Sequence, residues 1–413
     1  MHTGRGLHFC CLLVISATSL FGQSAELSGF VKDPSGGFVT GAQLQLRNTD
    51  TGIRYQEITD SEGFYSFASV KPGTYEASIQ ANKFRTLTQQ SIVLNVDERA
   101  SLDFSLQLAI VAQSVTVNSQ APLLNSTDPA VSTLVDQQFV RNMPLNGRSF
   151  QSLIALTPGV VFVPTTNSAG GTAAGQFSVN GQRANANYFM IDGVSANFGV
   201  VTDVGFGQTL GGAIPSFNAF GATSGLVSVD AMQEFRVLTS TFAPEYGRTP
   251  GAQVLILTRS GTNQFHGTAF DYLRNDIFDA RNFFNMVPQP KPPLRQNDFG
   301  GTVGGPIRKN KTFFFFSYEG LRLRLPETST GSFLAAAARE NVAPAYKPIL
   351  AALPLPNGPV NSDGITANLT TSYSDPSNLN ATSLRIDQTF NERVTFFARY
   401  NHAPSDSFFH YWN

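Results

Sequence analysis

Apolar and polar side chains alternate at period two in short runs over the first quarter of the chain. Leu44 and Leu46, Tyr65 and Phe67, and Phe104, Leu106 and Leu108 each share one side of an extended segment, which predicts strands with one buried and one wetted face. The runs predict seven strands, at Leu27 to Lys32, Ala42 to Arg47, Arg54 to Thr59, Phe64 to Val70, Thr74 to Gln80, Ser91 to Val96 and Leu102 to Leu108. Turn-forming clusters such as Asp33-Pro34-Ser35-Gly36-Gly37 and Lys71-Pro72-Gly73 separate them. Short strands at this spacing predict a small β-sandwich.

The texture then changes. Val111 to Val117 predicts an extended segment, and Leu134, Phe139 and Val140 share one helical face. Asp192-Gly193 after the extended run Tyr188 to Ile191 predicts a tight turn. Val254 to Leu257 is apolar on both sides, as a strand inside a globule should be, and the Gly-rich stretch Gly205 to Gly225 reads as a loop. From Gln264 onward five amphipathic strands follow. Phe314, Phe316 and Tyr318 oppose Phe313, Phe315, Ser317 and Glu319; Leu384 and Ile386 oppose Arg385 and Asp387; Phe396 and Tyr400 oppose Phe397 and Arg399. Strands of about ten residues are long enough to cross hydrocarbon when tilted. Short turns at Gly305 to Lys311 and Phe390 to Val394 alternate with long connections at Asn275 to Asn297 and Leu325 to Asn380, the asymmetry of an outer-membrane barrel. The longer connection holds Ala-rich pieces, Phe333 to Asn341 and Ala345 to Leu353, predicted helical.

Charge and chemistry narrow the picture mainly by exclusion. Lys+Arg 28 against Asp+Glu 29 leaves a net charge of -1, with no basic cluster that would neutralise a run of phosphates, so nucleic acid is not an expected partner. Arg5, the apolar run Phe9 to Ile15 and the small residue Gly22 predict a secretory signal over residues 1–22. Both cysteines, Cys10 and Cys11, fall inside it, so the exported chain is expected to be free of cysteine. No later run is apolar enough for a membrane helix, and any crossing therefore requires a closed β-barrel. None of the five His residues stands in an H-E-x-x-H spacing and no G-x-S-x-G elbow is present. Gly305 to Thr312 nearly spells a P-loop, but Asn310 replaces the last Gly and Pro306 removes a backbone donor, which leaves a charged turn. No catalytic residue, metal ligand or cofactor is expected.

Stretches of the chain resemble two known families. Thr59-Asp60-Ser61-Glu62-Gly63-Phe64-Tyr65-Ser66-Phe67, followed by Lys71-Pro72-Gly73-Thr74-Tyr75-Glu76, is similar to the carboxypeptidase regulatory-like, transthyretin-like sandwiches. Asn142 to Phe150, Leu153 to Val160, Phe177 to Arg183, Tyr188 to Val194, Val229 to Val237 and Ala252 to Gly261 are similar to the plug of TonB-dependent outer-membrane receptors. The succession resembles the Oar-like branch of that family. It implies a mainly β chain: a signal peptide at 1–22, a seven-stranded β-sandwich at 23–110, an α+β plug domain at 111–262, and at 263–413 the first strands of an incomplete transmembrane β-barrel. A plugged transporter barrel has about 22 strands, so five imply that the full protein continues past Asn413.

The resemblance also implies a function without catalysis: outer-membrane transport or reception of a substrate of glycan or peptide class, bound at the plug and outer loops. Its partners are outer-membrane lipid and the TonB energy-transducing complex of the inner membrane, which pulls on an extended segment. Ser114-Val115-Thr116-Val117-Asn118 is the expected capture segment, since β-branched residues between two domains suit strand addition, although the same residues fit a last sandwich strand or a first plug strand. Arg148 and Arg183, in turn-like contexts, face either an anionic or sugar ligand or a salt-bridge partner inside the plug. Asp192 and Gly193 form the expected plug turn. The alternative is a secreted adhesion or carbohydrate-binding protein that uses the sandwich.

Overall fold

A computed structural model describes residues 24–109, 115–117, 129–143, 145, 150–162, 177–183, 186–196, 227–246, 249–285, 287, 289–392 and 394–408. The expected signal segment, Arg148 and the loop at 205–225 lie outside these residues.

The N-terminal strands are β1 (Ala25–Lys32), β2 (Gln43–Asn48), β3 (Arg54–Ile58), β4 (Phe64–Val70), β5 (Gly73–Gln80), β6 (Leu87–Leu94), β7 (Arg99–Ser101), β8 (Phe104–Ser105) and β9 (Val115–Val117). One sheet runs β4-β1-β7 with β8 also on β1, and the other β3-β2-β5-β6-β9. Their inner faces, including Leu27, Leu46, Phe67, Tyr75, Ile79 and Ile92, close a core of their own. Two strands differ from expectation. The run predicted at Ser91 to Val96 begins earlier, at Leu87, because Ser91 takes a left-handed φ of 59° at a bulge and lets the polar residues before it pair. The run predicted at Leu102 to Leu108 is reduced to β8, and β7 lies just before it. The Asp103 carboxylate breaks it by accepting the Phe30 N–H at 2.9 Å and Lys32 Nζ at 2.6 Å, in place of a ladder bond.

The plug strands are β10 (Val131–Val135), β11 (Val160–Phe162), β12 (Phe177–Val179), β13 (Tyr188–Ile191), β14 (Val194–Ser195), β15 (Met232–Ser240) and β16 (Gln253–Thr258), with helices α1 (Gln137–Asn142) and α2 (Gln151–Ile154). The sheet order is β10-β15-β16-β13-β14, and every residue of β16 is buried, as its two apolar faces require. Leu134 sits on a strand rather than on the expected helical face. Asp136 starts the helix behind it, its carboxylate accepting the Phe139 N–H at 2.7 Å, while the preceding residues pair with β15.

The third sheet is β17 (His266–Asn275), β18 (Arg295–Arg308), β19 (Thr312–Leu334), β20 (Thr366–Thr389), β21 (Thr395–His402) and β22 (Ser405–Ser407), antiparallel and in sequence order apart from β22, which pairs with β20. Helices α3 (Ala336–Glu340) and α4 (Lys347–Ala352) lie in the β19–β20 connection. No described helix is long and apolar enough to span a membrane. β19 and β20 run for 23 and 24 residues, far beyond the predicted ten. Hydrophobic alternation weakens beyond Arg324, where serine and threonine replace most apolar residues. Backbone pairing continues past that point, carried by cross-strand hydroxyl contacts such as Thr328–Ser372 at 3.1 Å and Thr330–Thr370 at 3.0 Å. Below that extension the predicted faces hold: Phe313, Phe315, Ser317 and Glu319 are buried against the plug side, while Phe316, Leu384 and Ile386 are exposed on the other.

Candidate functional site

The site grows from a two-residue turn. Between β13 and β14, Asp192 and Gly193 take φ of 51° and 83°, the left-handed pair that a tight hairpin needs and that Asp and Gly adopt with least strain. This geometry aims the Asp192 carboxylate away from its own strand toward the end of β16 and the barrel wall. Its Oδ1 accepts the Thr258 N–H at 2.9 Å and Oδ2 accepts the Thr258 hydroxyl at 2.8 Å.

Two barrel arginines complete its shell. Arg385 Nη1 on β20 lies 2.9 Å from Asp192 Oδ1, and Arg399 Nε on β21 lies 3.1 Å from Oδ2. The rest of the Arg385 fork is held by Asp387, with Nε 2.8 Å from Oδ2 and Nη2 3.0 Å from Oδ1, and the Phe397 ring lies 4.8 Å from the guanidinium carbon. The side chains of Asp192, Arg385 and Asp387 are almost wholly enclosed, at 2%, 7% and 6% exposure. Two carboxylates and two guanidiniums, all hydrogen-bonded, thus form a neutral buried cluster joining plug to barrel. Removing one partner from such a cluster leaves an uncompensated charge.

The sandwich meets both bodies at the same end of the barrel sheet, the end with the short turns. Lys71 Nζ is 3.1 Å from Asp387 Oδ1, Gln56 donates to Glu392, and Asp50 O accepts the Asn263 N–H at 2.9 Å. Against the plug, buried Val96 packs with Leu238 and Leu255, and its N–H donates to Glu234 Oε1 at 2.7 Å. Burial pushes the Glu234 carboxyl up to about 7, and Glu98 and Asp136 add to the rise against the opposing pull of Arg236. A cleft of about 680 Å³ at this three-way junction is lined by residues including Asn48, Lys71, Glu234, Arg259, His266 and Asp387.

Of the residues singled out from sequence, Asp192 is in the cluster and Gly193 completes the turn that presents it. Arg183 is exposed at the turn after β12; Tyr188 pairs with Gln253 and Ile191 with Ile256, so this turn lies at the opposite end of the plug sheet from Asp192. Val115–Val117 pairs in parallel with Leu87–Gln89 at the edge of the sandwich, while Ser114 and Asn118 lie outside the described residues. Sequence reasoning did not find Lys71, Thr258, Arg385, Asp387 or Arg399 as a group. The available signal was the placement of Arg385, Asp387 and Arg399 on the inward side of apolar-outward strands. No group of three or more metal-ligating side chains occurs among the described residues.

Comparison with known proteins gives three family matches in the order of the three bodies. The carboxypeptidase regulatory-like domain matches residues 26–107, the TonB-dependent receptor plug domain 124–252, and the outer membrane beta barrel domain 257–343. The chain carries the plug domain of TonB-dependent receptors beside an outer membrane beta barrel domain. The chain is similar to the TonB-dependent transporter Oar of Myxococcus xanthus, at 24% identity over 349 residues, covering 80% of this chain and 30% of that protein. Among solved structures it is similar to the siderophore receptor PirA from Acinetobacter baumannii, with a TM-score of 0.44 and 15% identity over 69% of this chain and 33% of that one. The outer membrane transporter YddB from Escherichia coli gives 0.43 and 12% over 67% and 33%. The chain spans about a third of the length of these relatives. The three matches do not favour the secreted adhesion alternative.

Proposed function

We propose that this chain forms the sandwich, plug and first barrel strands of a TonB-dependent transporter, and that the Asp192 cluster is the latch holding the plug to the barrel wall. The observation that carries the reading is a plug carboxylate, 2% exposed, held by arginines from two different barrel strands. A closed plug needs a firm tie to the wall, and an ion cluster supplies one that breaks in discrete steps when force displaces the turn. On this reading substrate of glycan or peptide class binds at the plug and outer loops, with Arg148 and Arg183 as its cationic contacts. The TonB complex captures residues 114–118 by strand addition. The reading assigns no chemical step to the chain.

Vancomycin, too large for ordinary porins, is a direct probe of the latch in cells carrying the full-length protein. Asp192→Asn should admit it and sensitise those cells, whereas resistance equal to wild type removes the latch. The capture segment is tested separately. Val115→Pro lowers strand propensity at one end of the expected strand and should abolish binding of a purified TonB periplasmic domain. Undiminished binding would move the capture segment elsewhere.

A further inference from the structure

The ion cluster does not end at the barrel wall. Asp387, already gripping the Arg385 fork with both oxygens, takes a second partner from the sandwich, the Lys71 ammonium at 3.1 Å. Lys71 stands on the turn between β4 and β5, and that turn is tied to two tyrosines. Pro72 follows it, the Lys71 carbonyl accepts the hydroxyl of fully buried Tyr75, and the Lys71 N–H donates to Tyr55 Oη at 3.4 Å. Lys71 is not needed for neutrality, because Asp192 and Asp387 already balance Arg385 and Arg399. Its effect is positional. With Asp387 pinned from the sandwich side, the Nε and Nη2 edge of Arg385 is fixed, and Nη1 is left aimed at Asp192 Oδ1, Thr258 O and Thr258 Oγ1, at 2.9, 3.1 and 2.8 Å. Other contacts, Gln56 to Glu392 and Val96 to Glu234, dock the sandwich without touching this chain of bonds.

We propose that the sandwich is an intramolecular lock on the plug: Lys71 is a positioning residue that orients the Asp387–Arg385 pair onto Asp192, so shifting the sandwich away from the barrel end loosens the plug. The inference deepens the latch reading and rests on it. It also gives β9 a mechanical setting. Residues 115–117 are paired to β6 of the same sandwich, so a pull on them reaches the lock before the plug.

The test is amide hydrogen exchange on the intact protein in detergent micelles, following plug segments 186–196 and 253–258. Lys71→Gln should raise exchange there about tenfold while leaving β4 and β5 at wild-type rates, Lys71→Arg should restore protection, and Gln56→Ala should leave the plug unchanged. Asp192→Asn, which cuts the latch itself, sets the upper limit. If Asp192→Asn loosens the plug and Lys71→Gln does not, the lock is wrong and the latch stands. If Gln56→Ala loosens the plug as much as Lys71→Gln, the effect is general undocking, which also overturns the lock. Unchanged exchange in Asp192→Asn overturns both.

Discussion

At the scale of single residues, Asp192 does two jobs that a substitution can separate. Its left-handed φ of 51° is one that Asn tolerates as well as Asp, so Asp192→Asn keeps the turn and removes only the charge. Arg385 and Arg399 then face a neutral amide inside an enclosed site, and breaking a buried pair in this way costs about 3–5 kcal/mol. Gly193→Ala does the reverse. It keeps the charge but forces a Cβ into φ 83°, at roughly 1–2 kcal/mol. We therefore expect both variants to lower the urea concentration at which the plug becomes protease-sensitive, Asp192→Asn by more than twice the change in Gly193→Ala. Equal changes would mean that turn geometry, not charge, holds the plug.

At the scale of elements, the contact between the sandwich loop at Val96 and β15 carries a pH dependence through Glu234. Its folded carboxyl titrates near 7 against an ordinary 4.5. A raised carboxyl pKa means the docked state binds more protons than the undocked state between those values, so docking is strongest at low pH and weakens as pH rises through 7. The full span is worth at most about 3 kcal/mol. Neutral Glu234 still accepts the Val96 N–H, so the bond survives protonation. Protease cleavage near residues 95–98 should be slower at pH 5.5 than at pH 8, and Glu234→Gln should flatten the difference. A wild-type rate independent of pH would remove Glu234 from the interface energetics. Such elements divide into what alternation reveals and what it cannot. The inward side of β20 was readable because Leu384 and Ile386 mark the outward one. The reach of β19 and β20 beyond Arg324 was not, since serine and threonine pair through backbone and hydroxyl groups without leaving an apolar signature. Glu234 gave no signal either: its burial depends on Val96, which is 138 positions away in the chain.

At the scale of the whole molecule, sequence carries the order of the bodies and not their docking. Lys71 reads as an ordinary turn lysine until Asp387, 316 residues later, is brought beside it. That asymmetry makes a prediction about independence. The sandwich core, from Ala25 to Leu106, is drawn from residues of the sandwich, and its described ties to plug and barrel include polar bonds and the apolar contact of Val96. Domains of about eighty residues with a closed core fold alone, although with a small margin. Residues 24–109 expressed by themselves should therefore unfold cooperatively on heating, without β9, whose three residues only extend one sheet edge. Val96→Ser should leave the melting temperature of this isolated domain within about 2 °C, because Val96 there already faces water. In the intact protein the same change should expose the 95–98 segment to protease, because it puts a hydroxyl among Leu238 and Leu255. A non-cooperative melt of residues 24–109 would show that the sandwich depends on the plug for its fold, and that the two are one cooperative unit rather than a lock set against a latch.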